Sequence, residues 1–277
     1  VSGGADSTAL VVLASAARCA VRVWHVDHRQ HPASARDAAA VAELAAALGA
    51  EYEAVTVDVA PGPNLEARMR DARFGALPTG VLTGHTADDR AETVLLNLLR
   101  GAGPTGWAGI DRGPTKPLID LRRHETEALC AALGLEPCRD PSNLDRRFRR
   151  NRIRHELLPL WRDIGQRDPV PLLVRQADLA AEVARALLHS ASGVDPTSAA
   201  EVAAAPAAVA GEAVRRWMMA GGVGGGYPVD SASVHRVLAV ARGQQVATEV
   251  AGGWRVARRA GRLSLQAPGS WQDADHG

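Results

Sequence analysis

Ser2-Gly3-Gly4-Ala5-Asp6-Ser7, running straight into the apolar stretch that begins Thr8-Ala9-Leu10-Val11-Val12-Leu13, is the segment on which the fold turns. Two glycines allow a tight turn and let backbone N–H groups approach an anion, and two serines add hydroxyls. A helix over Thr8–Cys19 would aim its positive end at the same point. The same letters also suit a serine-and-aspartate cap on a glycine turn. The G-x-x-x-x-G-K-[ST] spacing of loops that hold a transferable γ-phosphate is absent.

After this loop the chain alternates short β-branched runs with longer alanine-rich segments. Strands are expected at Val21–Val26, Glu51–Val57 and Gly80–Thr83. Thr8–Cys19, Ser34–Leu48, Asn64–Leu77 and Ala87–Arg100 carry apolar residues at three- and four-residue spacing and read as helices. Such βα repeats imply an α/β fold, a parallel sheet with flanking helices. A glycine- and proline-dense loop, Gly101–Pro117, and a helix from Arg122 to Leu133 follow. Beyond Pro169 the character changes. Pro169–His189 and Pro206–Ala220 read as helices and Gly221–Gly226 as a flexible break. Thr248–Val250, Trp254–Ala257 and Leu263–Leu265 read as a small antiparallel meander. The expected division is a catalytic domain over 1–165 and a smaller, mixed α+β and mainly helical domain over 166–277. Because Val1 immediately precedes the glycine loop, the strand that would deliver the loop is expected to be missing.

The 277 residues are 46% hydrophobic and 23% charged, the balance of a globular protein, and exclude a wholly disordered chain. No stretch approaches 18 apolar residues and no secretory signal opens the chain, so a cytoplasmic protein without a membrane partner is expected. Cys19, Cys130 and Cys138 form no CxxC pair, which argues against a disulfide framework or a zinc or iron–sulfur site. The formal charge is +1, yet Arg139–His155 holds seven arginines against Asp140 and Asp145. That density has the footprint of a phosphate-backbone site, or of a solvated basic helix. With two tyrosines and two phenylalanines in the chain, aromatic platforms for stacking bases are scarce.

Three further motifs carry chemistry. His25-Val26-Asp27-His28 ends the strand after the loop, where a parallel-sheet crevice receives ligands. Gly84-His85-Thr86-Ala87-Asp88-Asp89-Arg90-Ala91-Glu92-Thr93 opens a helix and is followed by Arg100-Gly101-Ala102-Gly103. Asp88, Asp89 and Glu92 share one helical turn and call for a cation, either a magnesium ion on ATP phosphates or the ammonium of a small substrate. They also suit the first turn of any helix. Asp140-Pro141-Ser142-Asn143 then precedes Arg150-Asn151-Arg152-Ile153-Arg154-His155-Glu156.

SGGxDS at 2–7 resembles the pyrophosphate loop of the N-type ATP pyrophosphatase (PP-loop) superfamily. The ordered set of motifs from Val1 to Trp161 resembles tRNA(Ile)-lysidine synthetase. The resemblance implies an adenine nucleotide α-hydrolase-like, Rossmann-like fold, with ATP and Mg2+ as cofactors. It also implies a ligase that joins free L-lysine to the wobble cytidine of an isoleucine tRNA bearing the CAU anticodon. ATP-binding residues would be Ser2, Gly3, Gly4, Ala5, Asp6, Ser7, Val26, Asp27, Gly84 and Arg100. Asp6 and Asp88 would serve metal and catalysis, and Arg68 and Arg73, in the pattern Ala67-Arg68 and Arg73-Phe74, would screen phosphate charge. Asp89 and Glu92 would bind lysine. Arg150, Asn151, Arg152, Arg154 and His155 would contact the tRNA or nucleotide. Residues 166–277 would help grip the tRNA, a homodimer is an assembly open to the family, and the further C-terminal domain of longer members would be absent. Where many members carry a second histidine this sequence has Thr86. The rival readings are a tRNA 2-thiocytidine synthetase, disfavoured by the lack of paired cysteines, and a non-catalytic ATP-binding protein, disfavoured by the intact carboxylates.

Overall fold

The structure is a computed structural model that describes residues 1–27, 34–59, 65–138, 141–226 and 228–270. It divides into two compact units, Val1–Ala181 and Glu182–Gly277.

In the first unit α1 (Ala5–Ala16) follows the glycine loop directly. Strand β1 (Arg22–Asp27) leads through α2 (Ser34–Ala47) to β2 (Glu51–Thr56), the βαβ crossover expected of a parallel pair. The strands run parallel in register from Arg22↔Glu51 to Asp27↔Thr56. Helices α3 (Leu65–Gly75), α4 (Ala87–Leu99), the single turn α5 (Pro104–Trp107) and α6 (Arg123–Ala132) follow. The expected strand Gly80–Thr83 does not form. From Val81 to Thr86 the chain has no regular structure; among the described residues no strand ladders with it, and Thr83 N–H donates instead to the Thr115 carbonyl at 2.8 Å. β-branched letters alone cannot make a strand without a neighbour to take its hydrogen bonds.

Helix α1 is packed on two sides, which is why Thr8, Ala9, Leu10 and Val11 are buried in succession. Val11 meets Val23 of β1 with Val41 and Ala45 of α2, while Ala9 and Leu10 meet Leu118 and Cys130. The apolar face of α4 packs Ala91, Val94 and Leu95 against Ile153, Leu158, Val170 and Leu173. These last residues belong to a nearly continuous helical run. Helix α7 (Arg149–Arg152) passes through one π-helical turn, Ile153–Leu157, into α8 (Leu158–Gly165), and α9 spans Pro169–Ser192.

The second unit contains α10 (Ala199–Ala204), α11 (Ala207–Ala220) and α12 (Ser231–Ala241) with the antiparallel meander β3 (Ala247–Val250), β4 (Trp254–Arg259) and β5 (Arg262–Gln266). Val202, Val214, Met218, Val237, Val240, Val256 and Leu263 form its core, and Trp217 and Trp254 pack on it. The expected break at Gly221–Gly226 is a turn in which Val223 is buried. Asp230 is the N-cap of α12 and accepts from Ser233 N–H at 2.7 Å.

The contact that positions the site is a glycine. A Cβ on Gly84 would stand 2.7 Å from the Asp6 carbonyl oxygen and 3.0 Å from Ser7 N. Only a bare Cα lets the segment before α4 lie against the first turn of α1. Gly84→Ala is therefore expected to cost about 1–3 kcal/mol through forced backbone displacement, read as a lowered urea midpoint with an unchanged m-value.

Candidate functional site

The glycine loop folds on itself. Ser2 N–H donates to Ser7 Oγ at 3.2 Å, Ser7 Oγ donates to the Gly4 carbonyl at 3.0 Å, and Thr8 Oγ1 donates to the Gly3 carbonyl at 3.3 Å. Gly4, with no side chain to cap the helix, is the N-cap of α1, so this helix start depends on backbone or a ligand for its exposed donors. Gly3 has φ +82°, a left-handed conformation that suits glycine. A Cβ there would meet Cys138 Sγ at 2.8 Å, and Cys138 N–H donates to the Gly3 carbonyl at 2.9 Å. Burial, together with the hydrogen bond and charge of Asp37, pushes the Cys138 thiol up to about 11.

The start of α4 lies opposite. Thr86, where a second histidine was the expected pattern, is its N-cap: Thr86 N–H donates to Asp89 Oδ2 at 2.9 Å and Thr86 Oγ1 donates to the same oxygen at 3.2 Å. Threonine suits this position better than histidine would, because its hydroxyl is short enough to serve as a cap. His85 shares a 2.7 Å hydrogen bond with the Thr83 hydroxyl. Burial lowers its pKa to about 4, opposed by Asp89 and reinforced by the charges of Arg70, Arg150 and Arg73, so the ring is neutral at pH 7.

Each carboxylate of the acidic turn faces guanidinium groups. Asp88 receives Arg122 Nε and Nη2 at 3.0 and 3.1 Å and Arg123 N–H at 2.8 Å. Burial opposes its ionisation, but the Arg122 and Arg123 hydrogen bonds hold it below the usual carboxylate range. Asp89 Oδ1 receives Arg123 Nη2 at 2.9 Å and Arg150 Nη2 at 3.2 Å. Glu92, whose side chain is 0% exposed, is enclosed by three arginines. Arg123 Nη1 and Arg154 Nε reach Oε1 at 3.0 and 2.7 Å, while Arg150 Nε and Arg154 Nη2 reach Oε2 at 2.7 and 3.0 Å. Burial alone would raise its pKa. The Arg154 hydrogen bond and the charges of Arg123, Arg154 and Arg150 outweigh burial and bring it to about 2. The Asp6 carboxyl on α1 accepts from Thr126 Oγ1 and, at 3.4 Å, from Arg123 Nε, and burial still pushes it above its ordinary range.

The structure therefore gathers Asp6, Gly84, Asp88, Asp89, Glu92, Arg150 and Arg154 around the starts of α1, α4 and α6. Arg73 belongs to the same region, since burial and the charges of Arg70 and Arg150 lower its pKa. Arg70 and Arg73 stand over the Phe74 ring at 5.3 and 5.1 Å, and Arg68 is half-buried one turn earlier. Val26 and Asp27 end β1. Arg100 is not gathered: it caps the exposed far end of α4, 13 residues from Ala87 and so roughly 20 Å along the axis. Arg152 points away from Glu92 and pairs with Glu156 at 3.1 Å, with 58% of its side chain exposed. Asn151 and His155 brace the preceding loop, Asn151 Nδ2 donating to the Asp145 carbonyl and His155 Nε2 bonding the Asn143 carbonyl. His28 and Asp140, parts of quoted motifs, and Asn64, the expected start of a helix, lie outside the described residues. Arg122, Arg123 and Thr126 were not singled out from the sequence. The available signal was two arginines at a helix N-terminus, where the macrodipole disfavours cations unless acids hold them.

Residues 1–161 match the PP-loop domain family. The chain is 42% identical to tRNA(Ile)-lysidine synthase of Rhodococcus erythropolis over 237 residues, covering 80% of this chain and 73% of that protein. It is 40% identical to the enzyme of that name from Salinispora tropica over 305 residues, covering 97% and 90%. The chain belongs to the tRNA(Ile)-lysidine synthase family. The synthase from Rhodococcus jostii is 39% identical over 286 residues, covering 95% of this chain and 87% of the relative. Among solved structures, the U34-tRNA thiolase NcsA from Methanococcus maripaludis with its [4Fe-4S] cluster superposes with a TM-score of 0.52 at 16% identity, covering 66% of this chain and 70% of that one. At that identity the likeness concerns fold alone. Among the described residues of this lysidine synthase family member, no three His, Cys, Asp or Glu side chains group to hold a metal, and no helix is long and apolar enough to cross a membrane.

Removing the Glu92 charge takes from three half-buried guanidinium groups a carboxylate that they share, so Glu92→Gln is expected to cost about 3–5 kcal/mol in chemical unfolding. The depressed pKa fixes the pH dependence. Stability contributed by Glu92 is whole above its ordinary 4.5 and is lost as pH falls toward about 2. Wild type should therefore lose on the order of 3 kcal/mol more across that window than Glu92→Gln does.

Proposed function

We propose that this chain joins free L-lysine to the wobble cytidine of isoleucine tRNA with a CAU anticodon, in two steps driven by ATP. The cytidine O2 attacks the α-phosphorus, the bond to the β-phosphate breaks and pyrophosphate leaves. The ε-amine of lysine then attacks C2 of the adenylated ring, AMP departs with the oxygen, and the amine proton is lost. A cytoplasmic location follows from that substrate.

The observation that carries this reading is the seating of Gly84 on the backbone of Asp6 and Ser7, because it brings two helix N-termini to one place. Ser2–Ser7 at the start of α1 is suited to the departing pyrophosphate, by backbone N–H groups and positive helix end. Val26, Asp27 and Gly84 would border the adenosine, and Arg68 and Arg73 would offset phosphate charge. Asp89 and Glu92 would serve the amine, with Asp89 the more accessible; Glu92 reaches an ammonium only by exchanging one of its arginines. Arg152 is the outward member of the Arg150–His155 segment and suits a tRNA phosphate, whereas Arg150 and Arg154 act from within, through Glu92 and Asp89.

The magnesium ion that accompanies ATP fits a mostly phosphate-held site, since Mg2+ takes one or two carboxylates beside substrate oxygens. Asp6, an acid that burial makes receptive to a cation, is the side chain suited to hold it, while Asp88 joins only by releasing Arg122. When bound, the ion neutralises phosphate charge. A thiolase reading gains no support from the cysteines: Cys19 is exposed, Cys130 is buried and Cys138 packs on Gly3.

Purified protein with ATP, magnesium, lysine and unmodified CAU-anticodon tRNA should release pyrophosphate and AMP, and mass spectrometry of the wobble base should show a lysine-sized gain. Product lacking that gain would overturn the reading. Asp89→Asn is expected to raise the lysine KM about ten- to a hundredfold, the worth of a hydrogen bond to a charge, with little change in the ATP KM. Arg152→Ala should weaken tRNA binding and reduce its salt slope by about 1 without lowering the melting temperature; an unchanged slope would remove Arg152 from the tRNA surface.

A further inference from the structure

Helix α6 begins against the electrostatic grain. Arg122 is its N-cap and Arg123 its first residue, where the helix dipole favours acids. The arrangement stands because both side chains reach back to carboxylates of other helices. Arg122 takes Asp88 and Asp168, and Arg123 divides its three donor nitrogens among three acids. Its Nη1 goes to Glu92 at 3.0 Å, its Nη2 to Asp89 at 2.9 Å and its Nε to Asp6 at 3.4 Å. One guanidinium thus touches the first turn of α1 and the first turn of α4 at once. Thr126, one turn along α6, holds the other Asp6 oxygen and also donates to the Arg123 carbonyl at 2.8 Å.

We propose that Arg123 is a positioning residue that couples the nucleotide site on α1 to the amino-acid site on α4. The inference rests on the function proposed above. The Asp6 contact is the longest of the three, so it yields first when a phosphate-bound cation engages Asp6. The guanidinium remains anchored by Asp89 and Glu92, and its freed Nε–H reorients toward the phosphate oxygens that arrive with the cation. That rotation shifts the two carboxylates offered to lysine. Occupancy at α1 is thereby read at α4, and by thermodynamic reciprocity lysine at α4 alters nucleotide affinity by the same factor.

The test is calorimetric titration of lysine into the full chain, alone and with magnesium and a non-hydrolysable α,β-methylene ATP analogue, followed by the reciprocal titration. In wild type the nucleotide should tighten lysine binding by about fivefold or more, and lysine should tighten nucleotide binding equally. Arg123→Gln should reduce both factors to near one. Arg123→Lys keeps the charge but cannot span three carboxylates and should also lose most of the coupling. Should Arg123→Gln fail to fold, Thr126→Val serves: it releases Asp6 on one side, leaves the α4 contacts intact, and should weaken coupling while lysine affinity of the nucleotide-free protein stays unchanged. Coupling that persists in Arg123→Lys and Thr126→Val, or wild type binding both ligands independently, overturns the proposal. Wild type that binds neither ligand overturns the ligase reading itself, and the coupling proposal with it.

Discussion

A carboxylate with no exposed surface, held among three guanidinium groups, is the constraint on which the first unit is built. Glu92 cannot be solvated where it lies, so its ionised form depends on Arg123, Arg150 and Arg154 arriving together from α6, α7 and the π turn. Among the described residues all three arginines also pair with Asp89, and Arg123 reaches Asp6 as well. A buried ion cluster of this kind adds little net stability compared with apolar packing, but it is intolerant of partial assembly. It therefore specifies how three segments, far apart in sequence, must meet.

The π turn is part of that specification. Within this turn Arg154 reaches both oxygens of Glu92 while Ile153 stays buried in the α4 packing. Arg152 is left to the outside. One short arginine-rich segment thus performs two tasks, internal neutralisation and a basic outer surface, by alternating the direction of its side chains.

Much of this was legible in the sequence. The order of glycine loop, βα repeat and acidic helix start led to the α/β fold, and apolar spacing located α1, α2, α4, α6 and α11 to within a few residues. The acidic turn and the arginine-rich segment were both visible as features, but not as partners. A sequence displays charge along the chain, whereas Glu92 and Arg154 are joined only by folding. Arg122 and Arg123 were passed over because helix starts were read from periodicity and not from the sign of their charges. Strand Gly80–Thr83 was inferred from residue type, which does not supply the neighbouring strand a ladder requires. Helix α12 was overlooked because the glycines before it drew the reading toward a break, although Asp230 and the spacing of Val234, Val237 and Leu238 mark a capped amphipathic helix.

The glycine loop leans on a sulfur atom: Cys138 fills the space that the missing side chain of Gly3 leaves open. With its thiol pushed up to about 11, little thiolate is present there at neutral pH, and it is the thiolate that reacts with oxidants and electrophiles. The sulfur packs against the loop on one side and meets Asp37 with its thiol. A cysteine that stands directly against the glycine loop is thus a poor target for oxidants and electrophiles in its resting, protonated form.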